Sequence, residues 1–146
     1  MELSRRRVSD QAEVAASAEE VFDLLADARK HAALDGSASV KGVLEAPNRL
    51  FLGAKFRMSM KIGLPYRMTN QVVEFEEGRR IAWRHYGHHI WRYEIEPLDE
   101  GHCRVTETFD YEHARSPLVY EVLHIPEKNL ASIRATLLNL QLRFSS

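Results

Sequence analysis

Alternation of apolar and polar positions defines the first elements. Between Val8 and Ala16, polar Ser9, Gln11 and Glu13 alternate with apolar Val8, Ala12, Val14 and Ala16, the period of a half-buried strand. Ser17-Ala18-Glu19-Glu20 then reads as a capping box, with Val21, Phe22, Leu24, Leu25 and Ala28 at helical spacing behind it. This helix is expected to stop before Asp35-Gly36. From Ser39 through Cys103 to Tyr111 the chain reads as strands interrupted by Gly, Pro, Asn and Asp. The clearest runs from Lys55 to Ile62. Phe56, Met58, Met60 and Ile62 share one face while Lys55, Arg57, Ser59 and Lys61 share the other, which predicts an antiparallel sheet with one dry side.

Gly63-Leu64-Pro65, Glu77-Gly78-Arg79, Tyr86-Gly87-His88 and Asp99-Glu100-Gly101 fall at hairpin distances and predict a meander. A three-residue loop at Tyr86-Gly87-His88 pairs His85 with His89, Trp83 with Trp91 and Ile81 with Tyr93. A two-residue loop would set Arg84 against Trp91; the first register is preferred because it puts the bulky residues on one face. Tyr66 and Met68 differ in parity from Val73 and Phe75, so a bulge is expected near Gln71. Beyond Tyr111 the period lengthens. Leu118, Val119, Val122 and Leu123 predict a short helix ended by Ile125-Pro126. Leu130, Ile133, Leu137, Leu138, Leu140, Leu142 and Phe144 give a last helix a broad apolar face, while Glu127, Lys128, Arg134 and Arg143 stay wet.

The chain has 146 residues, 45% hydrophobic and 28% charged, with a formal net charge of -1. These values fit one folded domain spanning 1-146 and exert no general pull toward nucleic acid. Arg5, Arg6 and Arg7 form the one basic run, read as a solvated end. Cys103 is the single cysteine, so no intramolecular disulfide forms, and a cytoplasmic setting fits. No stretch reaches the roughly 18 consecutive apolar residues that span a bilayer, and no signal-peptide core follows the arginines, so neither membrane insertion nor secretion is expected.

The order strand, helix pair, six strands, long C-terminal helix resembles the helix-grip fold of the START-like superfamily, also called SRPBCC or Bet v 1-like. The run from Ala15 to Asp27 looks like its opening strand-to-helix segment, Val72 to Trp83 like its central hairpin, and Trp91 to Gly101 followed by Arg104 to Thr108 like its last hairpin. The resemblance covers nearly the whole chain and is nearest to the bacterial polyketide cyclase/dehydrase-like group. It implies an α+β fold in which a curved antiparallel sheet of about seven strands wraps the last helix around a cavity. Relatives use that cavity to bind lipids, sterols, plant hormones or aromatic polyketides, and some catalyse cyclisation or dehydration. The matching segments mark turns and core positions and carry no shared catalytic signature.

Strand parity selects the candidate cavity residues. Phe56, Met58 and Met60 lie on the dry face and serve equally as wall or core. Trp83, Trp91 and Tyr93 offer aromatic walls with a polar handle, against a plain packing role; Phe109 shares the inward parity of the next strand. Glu107 is the sharpest candidate, because Cys103, Val105, Phe109 and Tyr111 share its parity. A buried carboxyl there would serve as a general acid or base; the alternative is a surface ion pair with Arg92 or Arg104. His85, or the His85, His88 and His89 cluster, is read as rim histidines, as a catalytic helper, or as a metal pair without an evident third ligand. Asp35 and Asn70 are placed near the cavity mouth on weaker grounds, since turn chemistry explains the first and the bulge obscures the second. GxSxG, P-loop, GxGxxG and HExxH motifs are missing, and no cofactor or metal is implied. The expected partner is a small hydrophobic molecule bound in the cavity. A cyclase or dehydratase using Glu107 with Tyr93 or His85 is the alternative, and a non-catalytic protein-interaction module the third reading. The sequence leaves open whether the protein is a monomer or a homodimer.

Overall fold

The computed structural model describes residues 6–35, 40–85 and 88–145. Among the described residues, seven strands form one antiparallel sheet: β1 (Arg7–Val14), β2 (Val40–Glu45), β3 (Lys55–Ile62), β4 (Leu64–Glu76), β5 (Arg80–His85), β6 (Ile90–Asp99) and β7 (His102–Asp110). Their spatial order is β1-β7-β6-β5-β4-β3-β2. Helices α1 (Ala18–Leu25) and α2 (His31–Leu34) follow β1, while α3 (Pro117–Val122) and α4 (Ile125–Phe144) follow β7. The architecture is therefore the expected helix grip.

Ser17 caps α1 as a complete capping box: its Oγ accepts from Glu20 N–H and its own N–H donates to Glu20 Oε1, each at 3.1 Å. The helical run read from Ser17 up to Asp35 is divided into the helix pair that the resemblance implies. α1 ends at Leu25, Asp27 accepts from Arg29 N–H at 3.0 Å to start a 3-10 turn at Ala28–Lys30, and α2 follows. His31 closes the break, because its Nε2 donates to the carbonyl of Leu25 at 2.9 Å and so satisfies a helix-end group that would otherwise lack a partner.

β3 matches the predicted boundaries, and Phe56, Met58 and Met60 are buried. The β5–β6 register also follows the three-residue loop, with Trp83 opposite Trp91 and Ile81 opposite Tyr93. The ladder ends at Arg84 and Ile90. Tyr86, Gly87, Gly36, Ser37, Arg5 and the side chains of Ile62 and His85 lie outside the described residues, so the expected pairing of His85 with His89 does too. The bulge expected near Gln71 sits at Val73: Val72 pairs with Trp83 and Glu74 with Ala82. Tyr66, Met68, Asn70 and Val72 thereby keep one parity, and Phe75 regains the inner side, where it meets Phe22 edge-on at 5.3 Å between ring centroids.

The outer face is organised by ion pairs. Arg92 bridges Glu74 at 2.8 Å and Asp110 at 3.4 Å, which commits it to the side of the sheet opposite Glu107. Arg104 pairs with Glu96 at 2.6 Å. Arg6 and Arg7 are also engaged, with Glu121 at 3.5 Å and Asp110 at 3.2 Å, so this part of the basic run is more than a solvated end.

α4 packs against β1 and β7 through Ile133, Leu137 and Leu140, which are buried. Its apolar face is narrower than the sequence suggests: Leu138 is 53% and Leu142 62% exposed. His124 links α3 to α4 in the left-handed region, with φ 59°, a conformation most side chains avoid. α3 contributes no fully buried residue; Tyr120 anchors it, stacking on Tyr111 and Phe109 with centroids 6.0 and 6.2 Å away.

Candidate functional site

Because the sheet curves, its inner face does not close fully on α4. A cavity of about 580 Å³ remains, within the usual range for small-molecule sites. The sheet supplies an apolar and aromatic wall: Phe56, Met58 and Met60 from β3, Met68 and Asn70 from β4, Trp83 from β5, Trp91 and Tyr93 from β6, and Glu107 from β7. Six of the seven sequence-selected wall residues thus meet around one space. Phe109 is fully buried outside the lining, where it backs Trp91 at 5.0 Å and receives Tyr120 of α3.

α4 faces the cavity with Ile125, Lys128, Asn129, Ser132 and Thr136. The leucine-rich lid expected from the sequence is therefore mostly polar on this side, since the buried Ile133, Leu137 and Leu140 pack on β1 and β7 while Leu138 and Leu142 are exposed. The cavity is consequently amphipathic, with a greasy sheet wall opposite a hydrogen-bonding helix wall.

Glu107 is 3% exposed. Tyr93 stands opposite it in the β6–β7 ladder and donates its hydroxyl to Glu107 Oε2 at 2.9 Å. Loss of solvent pushes the Glu107 carboxyl up to about 8; the Tyr93 hydrogen bond opposes this rise and the charge of Asp35 reinforces it. Glu107 is thus a neutral acid near pH 7, and burial likewise holds Tyr93 as a phenol. Neither Arg92 nor Arg104 pairs with Glu107, so the surface ion-pair alternative does not describe it.

Sequence reasoning missed His31. It lines the cavity, stacks on Trp83 with centroids 4.8 Å apart and planes 20° apart, and meets Phe56 edge-on at 5.6 Å. Burial pushes its pKa down, so the ring is neutral. The Leu25 carbonyl can only accept, which assigns the proton to Nε2 and leaves Nδ1 as a lone-pair acceptor. A histidine within a predicted helical run gave no periodic sign of this role, which depends on β5.

The other histidines separate. His88 Nε2 accepts from Arg115 at 3.0 Å, while His89 lines the cavity and its Nδ1 meets the Tyr120 hydroxyl at 2.8 Å. Among the described residues no three His, Cys, Asp or Glu side chains group as a metal site. Asp35 and Asn70 both border the cavity.

Comparison with known proteins places this geometry. Residues 5–144 match the family described as polyketide cyclase / dehydrase and lipid transport. The chain is 44% identical over 140 residues to the uncharacterized protein Rv0088 of Mycobacterium tuberculosis, covering 92% of this chain and 62% of that protein; it thus spans under two thirds of the length of this curated relative. Among solved structures it resembles a START superfamily protein from Mycobacterium smegmatis, with TM-score 0.70 and 18% identity over 94% of this chain and 96% of that one. It also resembles the Zhui aromatase/cyclase from Streptomyces sp. R1128, with TM-score 0.65 and 20% identity over 97% and 96% of the two chains. At these identities the structural likeness speaks for the fold. The chain belongs to the polyketide cyclase / dehydrase and lipid transport family and has its START-like helix-grip fold.

Proposed function

We propose that the protein binds a small hydrophobic molecule in the cavity between the inner sheet face and α4. The observation that carries this reading is the 580 Å³ space itself, walled by Phe56, Met58, Met60, Trp83, Trp91 and Tyr93. A chain that needed these residues only for packing would fill such a volume, since interiors are close-packed and each void forfeits contacts. An unfilled cavity also counts against the pure interaction-module reading. Among the described residues no helix is long and apolar enough to cross a membrane, and a cytoplasmic carrier is the setting we propose. Native mass spectrometry of the purified protein, compared with its denatured spectrum, tests the reading. A co-purifying mass in the native spectrum supports it. A bare protein that also fails to bind naphthalene-sized probes overturns it.

One observation favours a second reading, a cyclase or dehydratase. The cavity holds a neutral carboxylic acid, Glu107, together with a neutral imidazole, His31, whose free lone pair is a base. Such a pair is suited to moving a proton off carbon and onto a departing hydroxyl. If the co-purifying compound contains an enolisable ketone, turnover by the wild type that is lost in Glu107→Gln with binding retained would establish catalysis. Unchanged compound after prolonged incubation would leave the protein a carrier.

A further inference from the structure

Among the described residues, two buried polar atoms beside the cavity have no hydrogen-bond partner: Asn70 Oδ1 and Glu107 Oε1. Leaving a buried polar atom unsatisfied is costly, and native proteins complete nearly all of them. Both residues border the cavity and both are nearly fully enclosed, Asn70 at 5% and Glu107 at 3% exposure. They are of complementary chemistry. Glu107 Oε2 already accepts from Tyr93, so a neutral carboxyl carries its proton on Oε1 and offers it as a donor. Asn70 Oδ1 can only accept. The topology also separates them: Asn70 is on β4, Glu107 is on β7, and between these strands β5 and β6 present Trp83, Trp91 and Tyr93 to the same cavity.

We propose that the cavity selects a bifunctional ligand: an oxygen acceptor such as a ketone takes the proton of Glu107, a hydroxyl or amine hydrogen is given to Asn70 Oδ1, and an apolar body joining them lies against Trp83 and Trp91. This rests on the cavity being a binding site. It adds that two orphaned atoms at opposite reaches of the sheet wall set the ligand's functional groups, so shape alone does not decide what binds.

The test uses two isosteric probe pairs and isothermal titration calorimetry. 2-Acetylnaphthalene against 2-isopropenylnaphthalene reports the acceptor demanded by Glu107; 2-naphthol against 2-methylnaphthalene reports the donor demanded by Asn70. In the wild type each polar probe is expected to bind about tenfold more tightly than its apolar isostere, the worth of one buried hydrogen bond. Glu107→Leu abolishes the first preference and keeps the second, Asn70→Leu does the reverse, and Glu107→Gln, which retains a donor, keeps both. Preferences within about twofold of unity in the wild type, or preferences unaffected by the matching variant, overturn the proposal while leaving the cavity reading intact. Failure of all four probes to bind overturns both. The wild-type comparison decides the matter even where a leucine variant does not fold.

Discussion

Tyr93 and Glu107 stand directly opposite each other on β6 and β7, and the Tyr93 hydroxyl donates a 2.9 Å hydrogen bond to Glu107 Oε2. The phenol is the carboxyl's one hydrogen-bond partner among the described residues, and it works against desolvation, which is the larger effect. Tyr93→Phe is therefore expected to cost about 1–3 kcal/mol of stability, the penalty for orphaning a second buried oxygen. It is also expected to raise the Glu107 pKa further. Urea unfolding and a carboxyl carbon NMR titration of Glu107 check both parts; a fall in the Glu107 pKa would mean that the phenol is not its principal support.

Stability should carry the signature of a carboxyl that stays protonated in the folded state. With a folded pKa of about 8 against an unfolded value near 4.3, the folded chain holds one more proton than the unfolded chain between these limits, so stability falls as pH rises through that range. His31 acts in the opposite direction. Its pKa is depressed by burial, so its contribution is lost as pH falls below the ordinary histidine value of about 6.5. The span from about pH 6.5 to 8 thus belongs to Glu107, with a slope of up to about 1.4 kcal/mol per pH unit. Urea midpoints should drop across this span in the wild type and stay nearly level in Glu107→Gln. Parallel slopes in the two proteins would show that Glu107 is already ionised in the fold.

Filling the cavity should remove binding while sparing the fold. Met68 lines the space from β4 and pairs with Met58 on β3. Met68→Trp is expected to weaken 2-acetylnaphthalene binding by about tenfold or more, because the indole takes ligand volume. Its urea midpoint should match the wild type, since the added ring enters free space and displaces no packed neighbour. Undiminished affinity would locate the ligand elsewhere.

On α4, neighbouring leucines should behave oppositely. Leu137 is 3% exposed and Leu138 is 53% exposed. Leu137→Ala is expected to cost about 2–5 kcal/mol through lost burial and the void left behind, and Leu138→Ala no more than about 0.5 kcal/mol. Thermal or urea unfolding of the two variants decides this; equal losses would mean that Leu138 is covered in solution.

What the sequence by itself determined are the features governed by local period. A strand's side chains alternate strictly, so parity alone assigns Phe56, Met58, Met60, Trp83 and Tyr93 to the inner face, while Glu107 shares that parity but stays open to a surface ion pair until the fold commits Arg92 and Arg104 to other carboxylates. The Ser17 capping box and the three-residue β5–β6 register are likewise written in residues close together in the chain.

Only the tertiary structure decided the rest, because it depends on surfaces that meet from distant parts of the chain. α4 shows an apolar stripe wide enough to suggest a greasy lid, yet sheet curvature divides that helix between β1 and β7, which take Ile133, Leu137 and Leu140, and the cavity, which takes Lys128, Asn129, Ser132 and Thr136. The break between α1 and α2 is held by His31, whose value lies in a Leu25 carbonyl six residues back and in a Trp83 ring on β5. Asn70 keeps the inward parity of Met68 and so reaches the cavity wall, and the bulge at Val73 returns Phe75 to the same side. Whether its amide and the Glu107 carboxyl end as satisfied core groups or as open hydrogen-bonding sites follows from what the curved sheet leaves unfilled, and periodicity along a chain does not measure volume.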